Sequence, residues 1–153
     1  MSPSENRQFC SFLLDGMLFG VDVGDVQEGL RDQRITRVPL ASSMIHGLIN
    51  LRGQIVTVVD LRQCLDLPKY IGDRPPVNII VRTRDEPMSF LADEIGDVLS
   101  VSESDFEPAP ETLRGVAVDL IRGTYKLDDG LIRVLDTQQI ADYVVAKAGQ
   151  GQT

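Results

Sequence analysis

The sequence predicts an all-β fold with short helices, arranged as two related lobes. About ten short, β-rich segments are separated by turn signals at regular intervals, which is typical of barrels and sandwiches. The two halves of the chain also share an order of turn glycine, apolar strand and Asp-x-x-Gln. We therefore expect two related barrels rather than one irregular sheet, with a break near Pro75-Pro76.

A hairpin opens the predicted fold. The β-rich segments 8–14 and 17–23 flank Asp15-Gly16, and Asp-Gly between two such segments is a strong signal for a two-residue turn. A short strand is predicted over 35–38. It ends at Pro39, because proline cannot donate a hydrogen bond to a β-ladder.

The most informative segment covers 47–62 and reads GLINLRGQIVTVVDLR. One helical turn is expected over 42–47 before it. Strands are predicted over 48–51 and 55–59, and Gly53 breaks the sheet between them. The segment is otherwise aliphatic, so an arginine inside it is either a strand-end residue or part of a surface shown to a partner.

The second half repeats the pattern of short strands and turns. Its strands are predicted at 77–83, 88–93, 98–101, 124–127 and 131–135. Asp129-Gly130 marks the hairpin between the last two strands. Pro108 and Pro110 indicate a loop, and a helix is predicted over 138–148.

An internal repeat ties the two halves together. Gly53 precedes an apolar strand that ends in Asp60-Leu-Arg-Gln63, and Gly130 precedes one that ends in Asp136-Thr-Gln-Gln139. This spacing is a variant of the capping box, in which the aspartate accepts from the amide three residues on and the glutamine reaches back. Asp60 and Asp136 are therefore interpreted as helix caps rather than catalytic carboxylates.

Composition excludes several classes of function. The chain has 153 residues, 42% of them hydrophobic, and a formal net charge of −8, which fits one compact domain or two small lobes. Such a charge disfavours nucleic acids and anionic membranes as partners. The start of the chain has no apolar signal segment, and its two cysteines are interpreted as buried hydrophobes. We therefore expect a cytoplasmic protein.

No catalytic motif was found. The chain lacks a nucleophile elbow, a phosphate-binding glycine loop and H-E-x-x-H, and its single histidine, His46, gives too few ligands for a usual zinc site. Asp93 and Asp97 are interpreted as a solvated strand edge. We predict no enzyme activity, cofactor or metal. The alternative is a small-molecule-binding β-barrel, or an enzyme with an unrecognised site.

The segment Gly47-Leu-Ile-Asn-Leu-Arg-Gly53, with the strand and Asp60-Leu-Arg62 that follow it, is similar to the most recognisable segment of the chemotaxis coupling protein (CheW) family. Weaker similarities follow in the family's order at 19–22, 26–28, 36–39, 91–99, 107–110, 121–123 and 131–136. The resemblance covers roughly residues 8–146, which is nearly the whole chain.

The resemblance implies two intertwined five-stranded barrels of the SH3-like type within one domain over 8–146. Its approximate lobes would be 8–74 and 75–146, between flexible termini at 1–7 and 147–153. It also implies a non-catalytic adaptor that binds the regulatory domain of the chemotaxis histidine kinase CheA and the cytoplasmic tip of chemoreceptors. Such an adaptor works in the cytoplasm, recruited to membrane-associated receptor arrays.

The resemblance also implies a partner-binding surface formed by Val26, Glu28, Asn50 and Arg52. For Arg52, the alternative is a strand-end arginine whose stem covers apolar surface. Arginine is enriched in protein interfaces, so we favour a contact with receptor or kinase. For Val26 and Glu28, the alternative is an apolar residue packed inward beside a solvated glutamate.

Two residues are expected to shape this surface rather than to touch a partner. Gly47 and Gly53 suit a turn with positive φ or a close backbone approach. Asn50 is expected to brace the same turn through a local hydrogen bond. Gly29 stands where the family usually has a bulky aliphatic residue, so we expect a looser element there.

Overall fold

The computed structural model describes residues 6–31, 33–39, 42–108 and 119–150. Within these ranges the chain forms eleven strands, the two α-helices given below, and two short 3-10 helices at Val23–Asp25 and Glu103–Asp105. The strands are β1 (Asn6–Leu14), β2 (Met17–Asp22), β3 (Val26–Leu30), β4 (Ile45–Leu51), β5 (Gln54–Val59), β6 (Val77–Val81), β7 (Met88–Ala92), β8 (Glu94–Ser102), β9 (Phe106–Pro108), β10 (Ile121–Leu127) and β11 (Gly130–Leu135). The helices are α1 (Leu61–Cys64) and α2 (Thr137–Gln150). Among these residues, neither helix is long and apolar enough to span a membrane.

The strands form two sheets, and the predicted mostly-β class is confirmed. One sheet has six strands in the order β8-β1-β2-β11-β10-β9, and the other has five in the order β3-β6-β7-β5-β4. We had expected five in each. Both sheets contain one parallel pair, β2 with β11 and β5 with β7. Each sheet combines strands from both halves of the sequence, so the Pro75-Pro76 break does not divide one sheet from the other.

Several elements differ from the sequence prediction. The short strand expected over 35–38 is a single bridge between Thr36 and Leu48. The helical turn expected over 42–47 is largely replaced by β4, because Ile45 already pairs with β5. The alternation of exposed and partly buried residues in β3 did not stand out in the sequence, and that strand was missed.

The ends of the chain also extend further than expected. The segments 1–7 and 147–153 were predicted to be flexible, but β1 begins at Asn6 and α2 continues to Gln150. The remaining terminal residues lie outside the described ranges. Pro108 ends β9 instead of lying in a loop, and Pro110 falls outside the described residues.

Both repeated aspartates lie at helix starts. The Asp60 carboxylate accepts from the Arg62 amide at 3.0 Å and from the Gln63 amide at 3.3 Å. The Asp136 carboxylate accepts from the Gln139 amide at 3.1 Å. The aspartate half of the capping pattern therefore has the predicted geometry at both positions.

The glutamine half of the pattern differs from the prediction, because the backbone amide it was expected to reach already has a partner. The Asp60 amide donates to the Met44 carbonyl at 2.8 Å, and the Asp136 amide donates to the Leu120 carbonyl at 2.8 Å. The two halves thus repeat a tertiary hydrogen bond that the sequence pattern did not reveal.

A shared core joins the two sheets. Phe12 and Phe19 of the six-stranded sheet pack in the same buried cluster as Phe90 of the five-stranded sheet and Ile140 of α2. Cys64 belongs to this cluster, and burial raises the pKa of its thiol to about 12. Continuous apolar contact therefore joins two sheets whose strands are interleaved in the sequence.

An ion pair at the edge of this core connects the sheets a second time. Arg62 of α1, whose side chain is 10% exposed, donates to Asp93 at 2.7 Å and to the Pro68 carbonyl at 2.6 Å. The Asp93 carboxylate also accepts from the Asp15 amide at 2.9 Å, in the β1–β2 turn. Asp93 was expected at a solvated edge, but it is held between an arginine and a turn of the other sheet.

We predict that Arg62→Met lowers the free energy of unfolding by about 3 kcal/mol, because Asp93 would remain partly buried without its charged partner. Urea unfolding monitored by circular dichroism measures this change. Arg74 offers a matched control, since it forms a 2.9 Å ion pair with Glu94 but is 80% exposed. Arg74→Met should change stability by less than about 1 kcal/mol. Equal losses in the two variants would contradict the role assigned to burial.

Candidate functional site

A salt bridge joins the two outermost strands of the five-stranded sheet. Glu28 lies on β3, and Arg52 lies in the turn between β4 and β5. The Arg52 guanidinium donates to both oxygens of Glu28, at 2.6 and 2.9 Å. Two predicted interface residues, 24 positions apart, are thereby brought into direct contact. This two-pronged arrangement is the geometry in which arginine binds a carboxylate most strongly.

The turn that carries Arg52 is tight and braced. Arg52 has a φ of 52° and Gly53 a φ of 89°, which is the pair of left-handed conformations that two-residue hairpins favour. The Asn50 side-chain oxygen accepts from the Gly53 amide at 2.9 Å. Asn50 therefore braces the turn as expected, and Glu28 fixes the arginine from β3, at the opposite edge of the sheet order.

Glycine is required at position 47 for a different structural reason than at position 53. Thr36 and Leu48 exchange two backbone hydrogen bonds of 2.8 Å each, which brings the chain after β3 onto β4. A Cβ atom on Gly47 would lie 2.5 Å from the Thr36 carbonyl oxygen. Glycine is needed here for a close approach between backbones, where the segment after β3 pairs with β4.

The salt bridge remains charged under physiological conditions and leaves the arginine accessible. The hydrogen bond from Arg52 lowers the pKa of Glu28, and the same contact raises the pKa of Arg52. The Arg52 side chain is 66% exposed, against 23% for Glu28. Since guanidinium has five N–H groups, Arg52 can bind Glu28 and still offer donors to a partner.

An apolar strip lies along β8, against the face of β3 that carries Gly29, at the edges of the two sheets. A Cβ atom on Gly29 would lie 2.6 Å from the Ile95 side chain, so the absence of a side chain at Gly29 makes room for Ile95. Ile95 and Val98 are exposed, although both are large and apolar. Val26 packs against the shared core and is only partly buried. Gly29 therefore does not loosen β3, which keeps its pairing with β6.

The sequence prediction missed Ile95 and Val98 as surface residues. Only the end of β8 was expected as a strand, whereas the whole of Glu94–Ser102 is extended and mostly exposed. The available signal was an aliphatic pair set among Glu94, Gly96 and Asp97. An exposed apolar strip bordered by polar residues marks an interaction surface.

Comparisons with known proteins agree on one family. The family model described as CheW-like domain matches residues 8–145. The chain is 35% identical over 132 residues to the chemotaxis protein CheW of Bacillus subtilis, covering 86% of this chain and 84% of that protein. It is 30% identical over 142 residues to the CheW of Thermotoga maritima, covering 91% and 90% of the two chains. The crystal structure of the scaffolding protein TtCheW from Thermoanaerobacter tengcongensis matches with a TM-score of 0.80 at 28% identity, over 88% of this chain and 91% of that one.

We predict that alanine is tolerated worse at Gly47 than at Gly53. At Gly53 an added Cβ meets nothing within 4 Å, so the cost is the left-handed backbone alone, about 1 kcal/mol. At Gly47 the added Cβ would force apart two hydrogen-bonded segments, and we expect a loss of at least about 2 kcal/mol. Urea unfolding of the two variants tests the order. A larger loss for Gly53→Ala would contradict the close approach proposed at Gly47.

Proposed function

The chain belongs to the CheW family and is a non-catalytic scaffolding protein of chemotaxis signalling, and from this premise we propose that it joins the cytoplasmic tip of a chemoreceptor to the regulatory domain of the histidine kinase CheA. The proposed partner surface comprises the Arg52 turn and the apolar strip of β3 and β8. We further propose a cytoplasmic location, at receptor arrays on the membrane.

The observation that carries this proposal is an exposed arginine held in a fixed position. The Arg52 guanidinium is 66% exposed but bound to Glu28 through two hydrogen bonds. Long side chains lose rotamer entropy when they bind, and an arginine that is already fixed loses less. Ile55, three residues further on, is 55% exposed and adds apolar area beside the charge. A fixed arginine with apolar surroundings is the composition of an interface hot spot.

The strip supports a second part of the proposal. Ile95 and Val98 are exposed along an extended strand, next to the β3 residues that lead to Glu28. An amphipathic helix binds such a surface through its apolar face. Glu28 and Gly29 are neighbours on β3 and point to opposite faces of the strand, so β3 connects the Arg52 turn on one face to the strip on the other. We propose that the receptor helix lies on the strip.

A scaffold that transmits a signal also needs rigidity between its contacts. The Arg52 turn belongs to the five-stranded sheet, and the strip includes β8 of the six-stranded sheet. The shared core and the Arg62–Asp93 ion pair hold these two sheets together. A partner on one sheet is thus connected to a partner on the other through packed, hydrogen-bonded structure.

We predict that Arg52→Ala folds normally and weakens binding to receptor or kinase by about 1–3 kcal/mol. Titrations of a receptor cytoplasmic tip and of the kinase regulatory domain, each against the wild type and the variant, measure the loss. Arg84→Ala is the matched control, since it removes another exposed, paired arginine, whose partner Asp142 lies on α2 and not on the proposed surface. Unchanged affinity for both partners would remove Arg52 from the interface. Failure of the wild type to bind either partner would reject the function itself.

We predict that Val98→Asp weakens receptor binding by roughly tenfold or more, because a carboxylate would lose its hydration beneath the apolar face of a helix. Val145→Asp is the control, since Val145 is also an exposed valine but lies on α2. The same titration with the receptor tip gives both values. Equal effects of the two substitutions would argue against the strip as the receptor site.

A further inference from the structure

A cleft lies at the far end of the β4–β5 hairpin from Arg52. It consists of two adjoining cavities of about 350 and 500 Å³, and their linings share Arg37, Ser43, His46 and Asp60. We call it the Lys69 cleft, after the lysine at its second cavity. His46 is the second residue of the hairpin and Asp60 follows its last strand, whereas Arg52 lies at its tip. Six residues of extended chain separate His46 from Arg52 by about 20 Å.

The floor of the cleft is apolar. Val38 and Pro39 line the first cavity, and Leu14, Tyr70 and Leu91 line the second. Tyr70 also stacks over the Arg62 guanidinium, with 5.3 Å between the arginine Cζ and the ring centroid. The tyrosine is 37% exposed, so part of its surface is open to a partner. Aromatic side chains of this kind are frequent anchors in protein interfaces.

Some charged side chains of the cleft have an oppositely charged partner in the fold, and others do not. Arg62 and Asp93 neutralise each other at 2.7 Å, and the Asp60 carboxylate accepts two amides of α1. Arg37 donates to the neutral His46 carbonyl at 3.1 Å and so keeps its full positive charge. Among the residues that the structure describes, no acidic side chain forms an ion pair with Arg37 or Lys69. The lining thus holds three cations, Arg37, Arg62 and Lys69, against the anions Asp60 and Asp93, which is a net charge of +1 in a chain whose net charge is −8.

We propose that the Lys69 cleft binds an acidic peptide segment of a partner protein, with an apolar side chain of that segment anchored beside Tyr70. Two connected cavities suit an extended segment. A small anion would need several donors aimed at one point, but the donors of Arg62 point to Asp93, Asp15 and the Pro68 carbonyl. Carboxylates complement Arg37 and Lys69, and an apolar residue complements the floor.

This surface is separate from the one assigned to receptor and kinase, and the inference does not rest on that assignment. Since the two surfaces lie at opposite ends of one hairpin, a segment in the cleft leaves the Arg52 turn free. The scaffold could then hold an additional acidic partner while its other contacts are occupied. A test can therefore vary one surface and leave the other intact.

The test uses a fluorescein-labelled peptide of alternating acidic and apolar residues, DFELDFE, titrated against the full chain by fluorescence polarisation. We expect saturable binding that falls by roughly tenfold in Lys69→Glu and in Arg37→Glu, through like-charge repulsion. Lys126→Glu is the matched control, because Lys126 is an exposed lysine on β10 of the other sheet. Lys126→Glu and Arg52→Ala should both bind the peptide as the wild type does.

His46 provides a second readout, because it is the one histidine of the chain and gives a single pair of imidazole signals in NMR. Burial, and then the charge of Arg37, lower the pKa of His46. Carboxylates bound in the cleft should raise that pKa, and the basic peptide KFKLKFK should not.

Four results would overturn the proposal. They are no saturable binding of DFELDFE, equal weakening by Lys126→Glu, an unchanged His46 pKa at saturation, or free glutamate binding as tightly as the peptide. The last would identify a small-anion site instead.

Discussion

The ion pair between Arg62 and Asp93 is the contact on which the arrangement of the two sheets most depends. It lies where α1, the helix that follows β5 of the five-stranded sheet, meets the β1–β2 turn of the six-stranded sheet. A lysine could not replace this arginine, because the guanidinium meets Asp93 and the Pro68 carbonyl with two different nitrogens and keeps a flat face against Tyr70. One planar cation thereby fixes a turn, a helix and a loop from two sheets.

The β4–β5 hairpin connects the Arg62–Asp93 ion pair to the outer surface. Its base ends at Asp60, which caps α1, the helix that carries Arg62. Its tip presents Arg52 to solvent. Cβ atoms in a strand alternate between faces, so the hairpin can bury Ile49 and Val56 while exposing Ile55. A rigid element anchored at its base keeps the tip in place. That rigidity is what lets an exposed salt bridge on the surface have a defined orientation.

The parts of the fold that the sequence predicted correctly are governed by local chemistry. Asp15-Gly16 adopts φ values of 55° and 76°, as a two-residue hairpin requires, and the Asp-x-x-Gln pattern supplies two helix caps. The missed parts depend on contacts between distant segments. No local pattern indicates that Glu28 will meet Arg52, that the amide of Asp136 will donate to Leu120, or that Gly29 leaves space for Ile95. The sheets interleave for the same reason, since strand order is set by tertiary packing.

The two repeated halves differ at the two residues that follow each capping aspartate. In the second Asp-x-x-Gln, Gln138 occupies the position of Arg62, and its side chain accepts from the Arg84 amide and donates to Asp142 on the surface. Thr137 occupies the position of Leu61, and its buried hydroxyl lacks a hydrogen-bond partner among the described residues. The second half therefore keeps the strand, the cap and the helix but lacks the buried cation. A repeat that had stayed identical would offer two equivalent ends. Because only the first repeat carries a buried arginine, the two halves of the described structure are chemically distinguishable.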